Sequence, residues 1–141
     1  MTQRDELITY AISAYGVLPD HPFKQDDVST VLRHTDTCKW FGLFMRVAGK
    51  KIGLQNDEAV DVLNVKCDPI TAGILRQTPG IMPGYHMQHD HWITIVLNGT
   101  VAMEQIRFAL DLSYELTDRK KPRPKSAGNS TKRKAGSKGE N

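Results

Sequence analysis

The segment Tyr85-His86-Met87-Gln88-His89-Asp90-His91-Trp92 is the most unusual local feature of the sequence. Three histidines so close together raise the question of a metal. On a strand His89 and His91 would share a face, and Cys67 or His21 could add a donor suited to zinc. The spacing matches none of the usual zinc patterns, however. Cys38 and Cys67 stand alone, with no CxxC, so no metal site is expected. Asp90 beside a histidine offers acid–base chemistry. Adjacent residues often point apart, and no nucleophile accompanies the pair. The chain has no GxSxG, no Walker A loop and no GxGxxG. Asp20, Asp26 and Asp27 lie in a Pro- and Asp-rich loop and read as solvated. We therefore expect no catalytic residue, no cofactor and no enzyme activity.

The elements that must position this segment follow from periodicity. Leu7, Ile8, Ala11, Ile12 and Tyr15 fall at helical spacing within residues 3–15, and Gly16 ends the run. Candidate strands follow at Val28–His34, Trp40–Ala48, Lys51–Leu54 and Ala59–Lys66. Thr35-Asp36-Thr37 and Gly49-Lys50-Lys51 read as turns between them. Asp68 then caps a helix with Pro69 in its first turn. A Gly/Pro-rich loop, TPGIMPGYHMQHD, leads into the strand HWITIVLNG. A final helix spans Val101–Leu116, with Met103, Ile106, Leu110 and Tyr114 on one face. The expected fold is α/β (α+β): an antiparallel sheet with helices packed on one face.

Period-two alternation sorts the strand residues into two sets. Phe41, Leu43, Met45 and Val47 are expected beside Leu63, Val65 and Cys67, and Ile93, Ile95 and Leu97, on the helix-covered side. Trp40, Gly42, Phe44 and Arg46, with Val62, Asn64, Lys66, Trp92, Thr94 and Val96, should then form a half-exposed opposite face. Aromatic and basic side chains on such a face suit a polyanion. The rival expectation is a small aromatic cluster under loops, with Arg46 and Lys66 solvated. A protein- or small-ligand pocket between Trp40, Phe44 and Trp92 is the alternative use of that face.

Charge is divided unevenly. Residues 118–141 hold nine of the 19 Lys/Arg but two of the 16 Asp/Glu, a net +7, which leaves residues 1–117 at −4. After Leu116 the chain has no apolar side chain larger than alanine, so residues 118–141 are expected to be a disordered basic tail following a domain at 1–117. Such arms bind phosphate backbones by counterion release, or serve only to solubilise. No run of apolar residues reaches membrane-spanning length and the N-terminus lacks a secretory pattern. With reduced thiols expected, the reading is a cytoplasmic protein without membrane association. The sequence leaves its oligomeric state open.

Several motifs in order carry a resemblance: Val31-Leu32-Arg33-His34 and Lys39-Trp40-Phe41-Gly42-Leu43; Leu63-Asn64-Val65-Lys66-Cys67-Asp68-Pro69; Gly80-Ile81-Met82-Pro83-Gly84-Tyr85-His86-Met87; His91-Trp92-Ile93-Thr94-Ile95; and Ser113-Tyr114-Glu115-Leu116-Thr117. Over roughly residues 4–117 the chain resembles the MmcQ/YjbR family. That resemblance implies a CyaY-like fold and DNA as the partner. Arg46, Lys66, Tyr85, His86, His89, His91 and Trp92 are then the expected DNA-contacting residues, with no metal and no catalytic group. The family usually reads Tyr-His-Met-Asn-Lys before its His-Trp. Here Gln88 and His89 replace Asn and Lys. A histidine contacts phosphate well only when protonated, below about pH 6.5 for an ordinary imidazole.

Overall fold

A computed structural model describes residues 2–24, 26 and 28–118. The expected basic segment, apart from Asp118, lies outside the described residues. Helix α1 (Gln3–Tyr15) starts at a Thr2/Asp5 capping box and stops at Gly16, whose φ of 68° opens the left-handed region to the chain. Strands β1 (Thr30–Arg33), β2 (Trp40–Ala48) and β3 (Ala59–Lys66) form an antiparallel meander. Asp68 caps α2 (Pro69–Leu75), its side chain accepting from the Thr71 amide. Strands β4 (Ile81–Pro83) and β5 (Trp92–Val96) precede α3 (Met103–Thr117). The sheet order is β1-β2-β3-β5-β4 and every pairing is antiparallel. The result is an α+β fold, as the sequence predicts.

Two elements differ from expectation. Lys51–Leu54 is not a strand. Gly49–Ile52 forms a 3-10 turn instead, closed by Gly53 at a φ of 90°. Ile81–Pro83 is a strand within the Gly/Pro-rich loop, placed at the sheet edge where a proline is tolerated. Among the described residues no helix is long and apolar enough to cross a membrane.

All three helices feed one core. Leu7 and Ala11 of α1, Ala72 of α2, and Ile106, Ala109 and Leu110 of α3 pack with Phe44, Leu63, Val65, Ile93 and Ile95. This cluster corrects the phase expected for β2. Leu32 pairs with Gly42 and Arg33 with Trp40, so Phe41 is skipped as a bulge. Past the bulge, Phe44 lies opposite Leu63, and Leu63 opposite Ile95, all toward the helices. Leu43 and Met45 therefore face the other way, across from Asn64 and Val62. The bulge lets both Phe41 and Phe44 enter the core. Gly42 lies beneath α3, where an added Cβ would sit 3.4 Å from Leu110 and 3.2 Å from Leu32.

The opposite sheet face is not bare. Val31, Val62, Asn64 and Thr94 on it are fully buried. The segment before β1 covers one end through an Asp20–Val31 bridge and an edge-to-face contact of Phe23 with Trp40. The loop between β4 and β5 covers the other. Sequence alternation predicted a half-exposed aromatic surface; the structure replaces it with a second, loop-covered buried layer.

Candidate nucleic-acid interface

The loop from Gly84 to His91 is fixed by backbone contacts. Gly84 passes so close to β5 that a Cβ there would lie 2.8 Å from that of Trp92, and its amide donates to the Trp92 carbonyl at 3.1 Å. Only a residue without a side chain fits. Next, the Tyr85 amide donates to Thr94 Oγ1 at 2.7 Å, and Asn64 Nδ2 donates to the Tyr85 carbonyl at 3.3 Å. Thr94 Oγ1 in turn donates to Asn64 Oδ1. This buried Asn–Thr pair is thus a clamp that holds both polar groups of the Tyr85 backbone. His86 follows at a φ of 60°, and its ring meets that of Tyr85 edge to face at 4.1 Å. Further along, Arg76 Nη1 donates to the His89 carbonyl at 2.8 Å, and the Cys67 amide donates to the His91 carbonyl at 2.8 Å.

Against this clamped loop stands the 3-10 turn after β2. Lys51 and Ile52 of the turn, with Met82, Pro83, Gly84, Tyr85, His86 and His89, enclose an open groove of about 270 Å³. Three of the seven residues expected to contact DNA therefore converge: Tyr85, His86 and His89. Lys51 joins them. The sequence reading set it where the Gly49-Lys50-Lys51 turn meets the expected strand Lys51–Leu54 and did not count it among the contacting residues; the double lysine of that turn was the available signal.

The remaining expected residues do not join this groove. Arg46 lies across from Asp61, toward the helices, and its Nε donates to Asp61 Oδ1 at 3.0 Å. Asp61 also sits 3.5 Å from Arg4 of α1. The cation is thus offset by a carboxylate, and it stands on the side opposite to the one expected, because the Phe41 bulge shifts the alternation. Lys66 and Trp92 are cross-strand partners. Lys66 lines a separate groove of about 260 Å³ with Cys67, Asp68, Leu112, Glu115 and Leu116, where two carboxylates oppose it. His91 is half-buried and held through its backbone, its amide donating to Gln88 and its carbonyl accepting from Cys67. Nor do Trp40, Phe44 and Trp92 enclose a pocket. Phe44 is in the helix-side core and Trp40 packs on Phe23. Among the described residues no three His, Cys, Asp or Glu side chains converge on a point that could hold a metal.

Buried and half-buried polar and aromatic groups elsewhere tie the helices to one another and to the sheet. Tyr10 and Tyr15 both donate to Asp111, and Tyr15 stacks on Tyr114 at 4.3 Å. Burial, and then the Asp111 carboxylate, raise the Tyr15 phenol above its ordinary value. His34, nearly fully buried, shares a 2.8 Å hydrogen bond with Thr117. Ser113 bridges from α3 to the Lys66 amide at 2.9 Å and to the Phe41 carbonyl at 2.7 Å, which fixes the bulge against the helix.

Comparison with known proteins places this architecture. The YjbR family model matches residues 12–116. The uncharacterised protein YyaQ of Bacillus subtilis is 38% identical over 117 residues, 83% of this chain and 99% of that protein. The uncharacterised protein YbdF of Escherichia coli O157:H7 is 30% identical over 88 residues, 56% of this chain and 72% of its own length. A crystal structure of a Pseudomonas syringae protein superposes with a TM-score of 0.79 at 41% identity, covering 82% of this chain and 98% of that one. A Deinococcus radiodurans protein with a DUF419 domain gives a TM-score of 0.65 at 29% identity, with 85% of this chain and 81% of that one covered.

Proposed function

The chain belongs to the YjbR family, and from that premise we propose that it is a cytoplasmic, non-enzymatic DNA-binding protein. In this reading the cationic C-terminal segment supplies most of the phosphate affinity, and the folded body adds one contact at the Lys51–Tyr85 groove. The carrying observation is the division of charge. Residues 118–141 carry +7 while the body carries −4. A body of that sign repels DNA except where a local cation outweighs its surroundings. Lys51 meets that condition: no carboxylate lines its groove. Arg46 and Lys66 do not, since Asp61 faces the one and Asp68 and Glu115 surround the other.

The test is an electrophoretic mobility shift across a salt series. Six or more phosphate contacts cost about 10³-fold or more in affinity between 50 and 200 mM salt. Replacing the nine Lys/Arg of residues 118–141 by glutamine should flatten that slope. A full-length protein that leaves DNA unshifted at low salt would refute the proposal. A second reading, that the groove serves a small ligand instead, draws on its apolar lining by Ile52, Met82 and Pro83. It predicts intrinsic fluorescence that responds to a metabolite and not to oligonucleotides.

A further inference from the structure

The groove between the 3-10 turn and the β4–β5 loop has a size, a lining and a rigidity that together specify an occupant. The geometry points to a single unpaired nucleobase seated against Tyr85 and His86, with a flanking phosphate on Lys51. The protein would accordingly favour single-stranded over duplex nucleic acid. This inference rests on the DNA-binding reading above and adds which form of the nucleic acid the body recognises.

Size comes first. At about 270 Å³ the groove lies just under the roughly 300–1,000 Å³ of drug-sized ligand sites. It has room for one ring system. Chemistry comes second. Tyr85 and His86 present π surfaces, with their ring centroids 4.1 Å apart, and Ile52, Met82 and Pro83 give the remaining wall apolar contact. Bases stack on such aromatic side chains whatever their identity. Charge comes third. Lys51 is exposed, and no ion pair among the described residues engages it. Two other grooves differ: Asp68 and Glu115 stand in the one at Lys66, and the guanidinium of Arg33, in the groove beside Cys38, is paired with Asp20.

Rigidity decides the affinity. The Asn64–Thr94 clamp fixes the Tyr85 backbone on both its amide and its carbonyl, and Arg76 fixes the His89 carbonyl. A loop already held in place loses little conformational freedom when it binds, so more of the stacking energy appears as affinity. A paired base would first have to leave its stack, at a cost of a few kcal/mol. That cost is absent for a single strand.

Fluorescence anisotropy of the full-length protein tests this directly. The probes are a labelled oligothymidylate and a duplex hairpin of equal phosphate count. The unmodified protein should bind the single strand more tightly. Tyr85→Ala should lower single-strand affinity about fivefold or more, from the stacking contribution of one base, and leave duplex affinity unchanged. Tyr85→Phe, which keeps the ring, should restore it. Lys51→Ala, in an exposed turn, should reduce the single-strand salt slope by about 0.7, as expected for one lost phosphate contact. Equal affinity for the two probes, with Tyr85→Ala indifferent to both, overturns the groove inference and leaves tail-driven DNA binding standing. Failure to bind either probe at low salt removes both.

Discussion

Replacing Thr94 by valine removes one oxygen and leaves the side-chain volume almost unchanged, so it isolates the polar clamp beneath the loop. Thr94 Oγ1 accepts from the Tyr85 amide at 2.7 Å and donates to Asn64 Oδ1. Both groups lose a partner in the variant. Thr94 and Asn64 are fully buried, so water cannot readily replace the missing oxygen. Each stranded polar group costs about 1–3 kcal/mol. The two losses share one site and do not add fully, which places the cost at about 2–5 kcal/mol for the pair. Against a total stability of about 5–15 kcal/mol that is a large fraction. At about 4 °C per kcal/mol for a domain of this size, the midpoint should fall by about 8 °C or more. Circular dichroism with thermal and urea unfolding reads both quantities. Thr94→Ser, which keeps the hydroxyl, should lose less than half as much. A Thr94→Val protein within about 0.5 kcal/mol of the parent, the usual range for a neutral surface change, would show that the clamp does not hold the loop.

Other consequences follow from neighbouring contacts. Arg46→Ala should cost less than about 1 kcal/mol, because its pair with Asp61 is largely exposed on the arginine side. Asp61→Ala should cost about 2–4 kcal/mol, because it leaves the half-buried Arg4 guanidinium without its carboxylate; equal losses in urea unfolding would contradict the placement of both cations. Hydrogen bonds from the Thr71 amide and hydroxyl hold the Asp68 carboxyl below its ordinary value of 3.8. Its stabilising effect is thus complete above that pH and is lost as pH falls through the lower folded value. Asp68→Asn should be less stable than the parent at neutral pH, with the gap closing in acid; a gap independent of pH would count against the cap. Burial, and then the Asp68 charge, raise the Cys67 thiol, while Cys38 is exposed. Native alkylation should therefore mark Cys38 alone by peptide mass mapping, and comparable labelling of Cys67 would contradict its burial.

The helices were legible in the sequence because their signals are local. Asp68-Pro69 states a helix start on its own, and Gly16 states a stop. The long strands were legible through their β-branched runs. The face assignment of β2 was not. Trp40–Ala48 carries large apolar residues in both phases, so alternation placed Phe41 in the core and Phe44 outside it, whereas a bulge buries both. Such a bulge is set by pairing with β1 and by Ser113 of α3, which lies 72 residues from Phe41 in sequence. The edge strand Ile81–Pro83 was hidden because its pairing with β5 crosses a loop of turn-forming residues. Of the candidate site, the Tyr85–His89 cluster was readable as a motif. Its partner Lys51 was not, because its approach depends on how the sheet brings the β2–β3 connection to the β4–β5 loop. The error about Arg46 follows from the same bulge, since a shift of one residue sends each later side chain to the other face.

In the proposed function the folded body meets nucleic acid at one groove and nowhere else. Titration of uniformly ¹⁵N-labelled full-length protein with oligothymidylate, followed by amide chemical shifts, tests it most directly. Perturbations within residues 2–118 should cluster at Lys51, Ile52, Tyr85, His86 and His89. Shifts centred on Arg46 or on Lys66, or none within the body while the C-terminal segment responds, would contradict it.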